Sequence, residues 1–431
     1  MNSKKRPRRL SRRDFIRWGS GGALLALAGV QTTLKAFAAP APPSRDAGAW
    51  PQARPSGQGA VTTQRLAATD GHISLPGRRN ADGNGVYVFG FLNTSTSASI
   101  GETIRANKGK VKHPAPILDF QQDSEVYLTL TNVGFQFRPD LDDSHTIHWH
   151  GFRNPNAIFD GVPEVSISVP VARDFVYYFH PRHPGTYMYH CHFEDTEHVQ
   201  MGMDGIVFVR PTMGRNFAYN HPATYFDREY TLLLNEVDTT PHDNLEAIQG
   251  FVWSDYNPNY FVINGRAFPD TILRNGEVGE DPTLEESQPV SSLIQINEGE
   301  TGLLRFASLG YEQHAMQLVG IRMHVVGHDA TPLYKADGNG GFVDITYQTS
   351  TIYLGAGEAR DVLFTAPPYN PALPGGVDAG IGPYNVYWLR NRNYRTLTNN
   401  GMPGLGGMVT QVRVYQGNPL PPQTAPNETY L

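Results

Sequence analysis

The chain is short of cysteine, of long apolar runs and of helical periodicity. Cys191 is the one cysteine among 431 residues, so no intramolecular disulfide can staple the fold. No uninterrupted apolar run reaches the roughly 18 residues of a spanning helix, which argues against an integral membrane protein. Basic charge is scarce past the N-terminus. Residues 1–38 hold nine Lys/Arg and one Asp, leaving 26 basic and 40 acidic residues, a net charge of −14, in the remainder. A chain that acidic is a poor partner for nucleic acid. Gly (44) and Pro (33) are plentiful instead, which favours many short strands and turns over long helices. With 39% hydrophobic and 11% aromatic residues there is enough to bury a core. The length suits two domains of roughly 150–200 residues.

Residues 1–38 read as a targeting segment. Lys4, Lys5, Arg6, Arg8 and Arg9 precede Ser11-Arg12-Arg13-Asp14-Phe15, an apolar run from Gly21 to Val30 follows, and Ala36-Phe37-Ala38 offers small residues for cleavage. The Arg12-Arg13 pair resembles a twin-arginine signal, which implies export to the periplasm or the extracellular space. That pathway carries folded proteins, often with a cofactor inside. Residues 39–65, rich in Ala, Pro, Ser, Gly and Gln, read as a flexible linker.

Strand patterns fill the rest. Glu125–Thr131, Phe175–Phe179 and Gly205–Val209 alternate with period two, and later runs at Leu293–Ile296, Gly302–Phe306, Met323–Val326, Asp361–Thr365, Asn385–Leu389 and Met408–Val414 behave likewise. No stretch keeps a 3.6-residue apolar period over three turns. The expected fold class is all-β, built from β-sandwiches. Arg210-Pro211-Thr212-Met213-Gly214 closes a first unit, and a second strand series opens near Tyr230. This gives domains 66–212 and 213–431, which look like distant copies of one architecture.

The 15 histidines are clustered. His145, His148 and His150 fall within Ser144–Gly151. His190, Cys191, His192 and His198 fall within Tyr189–His198, and Met201 and Met203 follow. Residues two apart on a strand share a face. His148 and His150 therefore point one way, as do His190 and His192, with Cys191 opposite. A thiolate, two imidazoles and a weak thioether are the donors of a blue copper centre. Cys191, His198 and Met203 lie on one loop, with Met201 as competitor for the thioether, and His145 comes from a neighbouring strand. His148, His150, His190 and His192 suit a second copper site. Zinc alone would not account for the methionine. Asp160, before Gly161, is either a plain turn residue or a proton relay. His180 and His183 stand beside prolines as surface turn residues, Trp149 reads as packing, and Glu194 and Asp195 as loop acids.

His148-Trp149-His150-Gly151, Asp160-Gly161-Val162-Pro163 and Gly185-Thr186-Tyr187-Met188-Tyr189-His190 resemble the first cupredoxin domain of laccases and other multicopper oxidases. Cys191 stands where that domain usually has Ser, and His145, His148 and His150 reproduce a His-x-x-His-x-His spacing found in the family's copper-bearing last domain. The combination is similar to two-domain multicopper oxidases with type 1 copper in the N-terminal domain, and to copper nitrite reductases. The resemblance implies two tandem cupredoxin-like Greek-key β-sandwich domains. It also implies type 1 copper on His145, Cys191, His198 and Met203, a type 2 ligand in His148, type 3 ligands in His150, His190 and His192, and a proton-relaying Asp160. Motifs in the second domain, Ile263-Asn264-Gly265-Arg266 and Val326-Gly327-His328-Asp329 among them, resemble the family less specifically.

Two departures bear on function. Residues 193–197 lengthen the type 1 loop from the three residues usual in laccases to five. The second domain offers only His221, His242, His314, His324 and His328, without a His-x-His pair, so it lacks the four imidazoles that a trinuclear cluster would need from it. In the nitrite-reductase-like plan, His314 from a neighbouring subunit completes a mononuclear site with His150 and His190, and the protein is a homotrimer. Yet nitrite reductases lack an imidazole at the position of His192 and carry Asp at that of His148. The expected function is an exported copper oxidoreductase that takes single electrons from a small-molecule or metal-ion reductant and reduces dioxygen. Nitrite reduction is the alternative acceptor chemistry, and a non-catalytic blue copper electron carrier is the alternative from another class.

Overall fold

Period-two alternation sets the architecture, seen in a computed structural model that describes residues 60–339 and 341–430. The expected export segment and the linker as far as residue 59 lie outside the described residues. Eight strands build the first half: β1 (Val61–Ile73), β2 (Val86–Asn93), β3 (Leu118–Gln121), β4 (Glu125–Asn132), β5 (His148–His150), β6 (Arg173–Phe179), β7 (Gly185–His190) and β8 (Asp204–Arg210). They form two four-stranded sheets, ordered β2-β1-β4-β6 and β3-β8-β7-β5. Inward residues of both sheets share one core: Leu66, Phe89, Leu128 and Tyr177 from the first, Phe120, Trp149, Tyr189 and Val207 from the second. Each strand buries one face and cannot be stable alone, so the two sheets close on each other.

The linker boundary needs correcting. Val61–Arg65, expected as linker, belong to β1, where Val61 pairs with Glu125 in a parallel ladder running to Ala68 opposite Asn132. The polar start of β1 alternates between exposed and half-buried positions, so it carries no apolar signal.

Residues from 228 onward build two larger sheets. One runs in the order Tyr260–Ile263, Arg228–Val237, Thr301–Ser308, Ala359–Thr365, Met323–His328. The other runs Ile294–Asn297, Val409–Tyr415, Gly382–Asn391, His314–Leu318, Thr351–Leu354. Leu232, Phe306 and Phe364 meet Ile294, Met316 and Val412 in their common core. Helices are short: α1 (Ile100–Asn107), opened by a Ser99–Glu102 capping box, α2 (Asp195–Gln200) and α3 (Thr239–Glu246).

Buried charges tie the two halves together and fix β7 in place. Arg210 on β8 reaches Glu229 at 2.6 Å, Arg305 spans Glu229 (3.2 Å) and Asp361 (3.3 Å), and the Thr186 hydroxyl on β7 donates to Asp361 at 2.5 Å. Tyr219 adds a hydroxyl to the same carboxylate at 2.6 Å. Each charge is enclosed and paired, the condition under which ions survive in a core. β7 is therefore held rigidly at one end, and its other end carries His190 and leads into Cys191.

Candidate metal centre

β5 is three residues long, and its middle residue anchors it. Trp149 is wholly buried, stacked 4.3 Å from Phe179 and 5.5 Å from Phe120. Burying this ring turns its neighbours, His148 and His150, to the opposite face. Antiparallel pairing sets His148 across from His190 and His150 across from Met188. His192 follows, with its backbone N–H donating to the Thr146 hydroxyl at 2.9 Å. The four imidazoles converge: ring centroids are 5.3 Å apart for His148–His190, 5.1 Å for His148–His192, 5.5 Å for His190–His192 and 6.1 Å for His150–His190.

Two of these rings are pre-oriented. Nδ1 of His148 donates to the Asp160 carbonyl at 2.6 Å and Nδ1 of His190 to the Cys191 carbonyl at 2.8 Å. That fixes the tautomer and leaves Nε2 as the free lone pair, the arrangement metal-binding imidazoles use. Burial pushes His190 down to about 3, so it stays a neutral donor at any ordinary pH. Asp160 sits in a turn that only glycine could complete. Gly161 has φ +79°, and a Cβ there would lie 2.2 Å from the Ile147 carbonyl oxygen. The Asp160 carboxylate lies 3.7 Å from His148 Nδ1 and accepts from Asn154. Its side chain is 30% exposed, so it touches both the cluster and solvent.

The opposite face of the same segment holds the sulfur. Cys191 is fully buried, with its Sγ 3.3 Å from His198 Nδ1 and 3.8 Å from His145 Nδ1, and the three ligand atoms lie within 4.8 Å of one another. His145 is placed by a bridge to Val169 beside β5. His198 rides on α2, entered through Glu194 at φ +48°. The two extra loop residues are thus taken up by a helical turn that returns His198 to the sulfur. Met203 also lies in this core. Its N–H donates to the His198 carbonyl, and its carbonyl accepts from the Cys191 N–H, both at 3.0 Å. Met201 is equally buried, but its carbonyl turns away to Phe89 at 2.8 Å.

The donor set fits a copper ion. A sulfur and two imidazole Nδ1 atoms meet in a dry pocket walled by Phe89 and Phe135, and soft sulfur with imidazole selects copper. His145 and His198 have no hydrogen-bond partner at Nε2 although both are enclosed. Burial drives His145 well below its usual value. At His198 burial also acts downward, but the Cys191 charge, with Asp143 assisting, outweighs it and carries the imidazole up to about 10.

His314 is not brought to either cluster. It is enclosed, with Nδ1 3.1 Å from Asn391 Nδ2 and Nε2 3.7 Å from Glu236 Oε2. The strand His314–Leu318 turns His314, Met316 and Leu318 inward. The other histidines of the second half are engaged elsewhere: His221 stacks on Tyr334 at 3.9 Å, His242 meets Gln200, His324 meets Thr346 and His328 meets Tyr347. What the second half presents to His150 is Gly357, where an added Cβ would lie 2.7 Å from the ring.

Sequence reasoning missed four contributors. Asn154 and Gly357 fix Asp160 and His150. Asp143 and Glu197 stand at the outer edge of His198, their ligand atoms and its imidazole nitrogen within 4.8 Å of one another. The available signal was position, two residues before His145 and one before His198, but their meeting is a tertiary fact.

Comparison with known proteins agrees with this geometry. Residues 98–214, spanning both clusters, match the multicopper oxidase family model. Laccase-12 of Arabidopsis thaliana is 28% identical over 231 residues, 51% of this chain and 34% of that protein. A copper resistance protein A homolog of Pseudomonas syringae pv. tomato is 30% identical over 208 residues, 46% of this chain and 31% of that one. The chain thus spans about a third of the length of these relatives. Among solved structures, the blue copper oxidase of Nitrosomonas europaea shares the fold, with a TM-score of 0.59 at 22% identity, covering 82% of this chain and 85% of that one. The copper nitrite reductase of Thermus scotoductus shares it at a TM-score of 0.53 and 16% identity, covering 85% and 64%. The fold is therefore the all-β cupredoxin-like architecture.

Proposed function

We propose that this chain, whose residues 98–214 carry a multicopper oxidase domain, is a copper-dependent, laccase-like oxidoreductase that takes single electrons from a reductant and gives them to dioxygen. The observation that carries the reading is the back-to-back placement of two donor sets on one segment. Cys191 faces His145 and His198 on one side, while His190 and His192 face His148 and His150 on the other. Under this reading His145, Cys191 and His198, with Met203 as a weak thioether donor, would hold type 1 copper, and His148, His150, His190 and His192 would hold copper at a type 2 or type 3 site. Copper, when bound, supplies the one-electron redox chemistry and the binding of the acceptor.

The chain's own residues do the rest. The Cys191–His190 and Cys191–His192 peptide links join the donor sets covalently, so no side chain has to move to connect them. The rigid β7 and the Phe-lined pocket exclude water from the sulfur. Asp160 orients His148 through its carbonyl and, being part-exposed, can carry protons from solvent to the cluster face. The division into a copper-bearing cupredoxin domain, 66–212, and a second cupredoxin-like domain, 213–431, belongs to the same proposal, supported by their separate sheets and cores. Export by the twin-arginine route belongs to it too and rests on residues 1–38.

A mononuclear, nitrite-reducing site is the second reading. It is favoured by the second half setting Gly357 against His150 and bringing no imidazole of its described residues there. Oxidation of a phenolic donor under oxygen, set against nitrite consumption with a reduced donor under argon, separates the two. Oxygen consumption without nitrite consumption supports the oxidase, and the reverse replaces it. An intensely blue protein inert in both assays makes it an electron carrier.

A further inference from the structure

We infer that the cleft beside the Gly151–Pro155 loop is a binding site for a small aromatic carboxylate, gripped by Arg153 and Arg182 over the rings of Phe152 and Tyr187. The site goes beyond the proposed oxidoreductase activity and does not depend on it, because no side chain of the two donor sets lines this cleft.

Three segments wall the cleft, which has a volume of about 580 Å³. The Gly151–Pro155 loop follows the short strand β5, the turn from His180 to Pro184 joins β6 to β7, and the stretch from Asp329 to Pro332 comes from the second half. That volume falls in the range of small-molecule sites. The floor is aromatic. Phe152 and Tyr187 meet edge to face with ring centroids 5.7 Å apart, and Phe152 packs on Trp149 at 4.7 Å. The Tyr187 hydroxyl donates to the His183 carbonyl at 3.0 Å, which fixes its ring. The buried tryptophan that anchors β5 therefore also sets the floor of the cleft.

The rim is basic, and its charge is uncompensated. Among the described residues the guanidinium groups of Arg153 and Arg182 make no hydrogen bond and no ion pair, and the His180 and His183 rings make none either. Asp329, the acid on these walls, is already held by Arg360 at 3.3 Å and by the Ala359 N–H at 2.7 Å. Arginines elsewhere are committed: Arg78 to Asp243, Arg79 to Asp270, Arg210 to Glu229 and Arg305 to Asp361. Burial, with the Asp361 charge assisting, pushes the Tyr187 hydroxyl up to about 12, and Arg153 opposes that shift. The Arg153 charge is thus felt at the aromatic floor. In a chain that carries −14 past residue 38, two unpaired guanidinium groups on one cleft make a local attractor for an anion.

The chemistry of the walls selects the ligand. An arginine fork takes a carboxylate through two parallel hydrogen bonds. A bare inorganic anion has no use for the rings below, whereas an aromatic one covers them. A second hollow of about 260 Å³ shares Arg182, His183 and Pro332 with the first and is walled by Tyr334, on which His221 stacks at 3.9 Å. Arg182 therefore stands between two aromatic-lined hollows, with room for a ring substituent beyond the carboxylate. Gly151 follows His150, and Asn154 on the same loop donates to the Asp160 carboxylate, so an occupant orders the segment that serves the four-histidine face.

The test is calorimetric titration of benzoate into copper-loaded protein, with benzamide and inorganic phosphate as comparison probes. The expected result is one benzoate per chain, weakened by at least about tenfold in Arg153→Gln and in Arg182→Gln. Arg173→Gln, at an exposed position of β6 outside the cleft, should stay within about twofold of the parent. Benzamide, which keeps the ring and loses the charge, should bind at least about tenfold more weakly than benzoate, and so should phosphate. No benzoate binding by the parent overturns the proposal. Equal affinity in both cleft variants also overturns it, by placing the anion elsewhere, on copper included. Benzamide binding as tightly as benzoate removes the charge recognition, and phosphate binding as tightly leaves an anion site without use for a ring; either result overturns the proposal too. The thermal midpoint of the two cleft variants should match the parent, because neither guanidinium has a partner in the fold, so a loss of binding is read as loss of the site. The titration reads the cleft whether or not the protein is blue, so its failure and a failure of the copper reading are separate results.

Discussion

A histidine's meaning here depends on what faces its two nitrogens. His148 and His190 give Nδ1 to carbonyl oxygens and keep Nε2 free, as ligands do. His242 has both nitrogens taken, Nδ1 by the Tyr87 carbonyl at 2.6 Å and Nε2 beside Gln200 at 3.1 Å, and reads as structure. Burial drives His242 down to about 4 and His113 likewise. In the unfolded chain each takes up a proton near pH 6.5. Between pH 6.5 and 4 the unfolded state therefore binds more protons than the folded one, and stability falls as pH falls through that window. Each such histidine contributes about 1.4 kcal/mol per pH unit. Urea unfolding of metal-free protein at pH 7 and pH 5 should show the loss, and His242→Gln, which keeps a donor for Tyr87, should reduce the difference. An unchanged pH dependence in the variant would show that His242 is not one of the groups responsible.

The same residue scale explains what the sequence could and could not reveal. His148-Trp149-His150 and His190-Cys191-His192 were legible because a strand's period of two assigns faces without any knowledge of the fold. The enclosure of His314 was not, because a lone histidine carries no sign of whether its face looks in or out, and Glu236 and Asn391, beside it, are 78 and 77 residues away. The approach of Asp143 to Glu197 spans 54 positions and was equally invisible.

At the scale of elements, the strands from Leu293 to Val414 expected from alternation are found close to their expected bounds: Thr301–Ser308, Met323–His328, Ala359–Thr365 and Val409–Tyr415 among them. The misses have physical causes. The start of β1 is polar because its ladder partner, not its side chains, holds it. Helix α2 is six residues long, too short to show a period, and exists because the chain must bring His198 back to Cys191. Loops also decide the second site. Gly357, at φ +77°, lies under His150, so Gly357→Ala should push the ring out of place at a cost of about 1–3 kcal/mol. The expected result is loss of copper from the four-histidine site, seen by EPR, with the blue signal kept. Loss of both signals together would mean that the two donor sets are not independently built.

Across the whole molecule, two sandwiches are locked by Arg210, Glu229, Arg305 and Asp361, and the metal-binding segment hangs from that lock at Thr186. The second half, without an imidazole at the cluster among its described residues, buttresses the site with Gly357 and the buried ion pairs. The central claim is that one segment around Cys191 serves two copper sites, and the most direct measurement is copper content read together with the visible and EPR spectra, for the parent protein and for Cys191→Ser. The account predicts a blue parent with more than one copper per chain, and a Cys191→Ser variant that has lost the blue absorption and one copper while the remainder stays on the histidines. A colourless copper-loaded parent, or a blue colour that survives in Cys191→Ser, would contradict it.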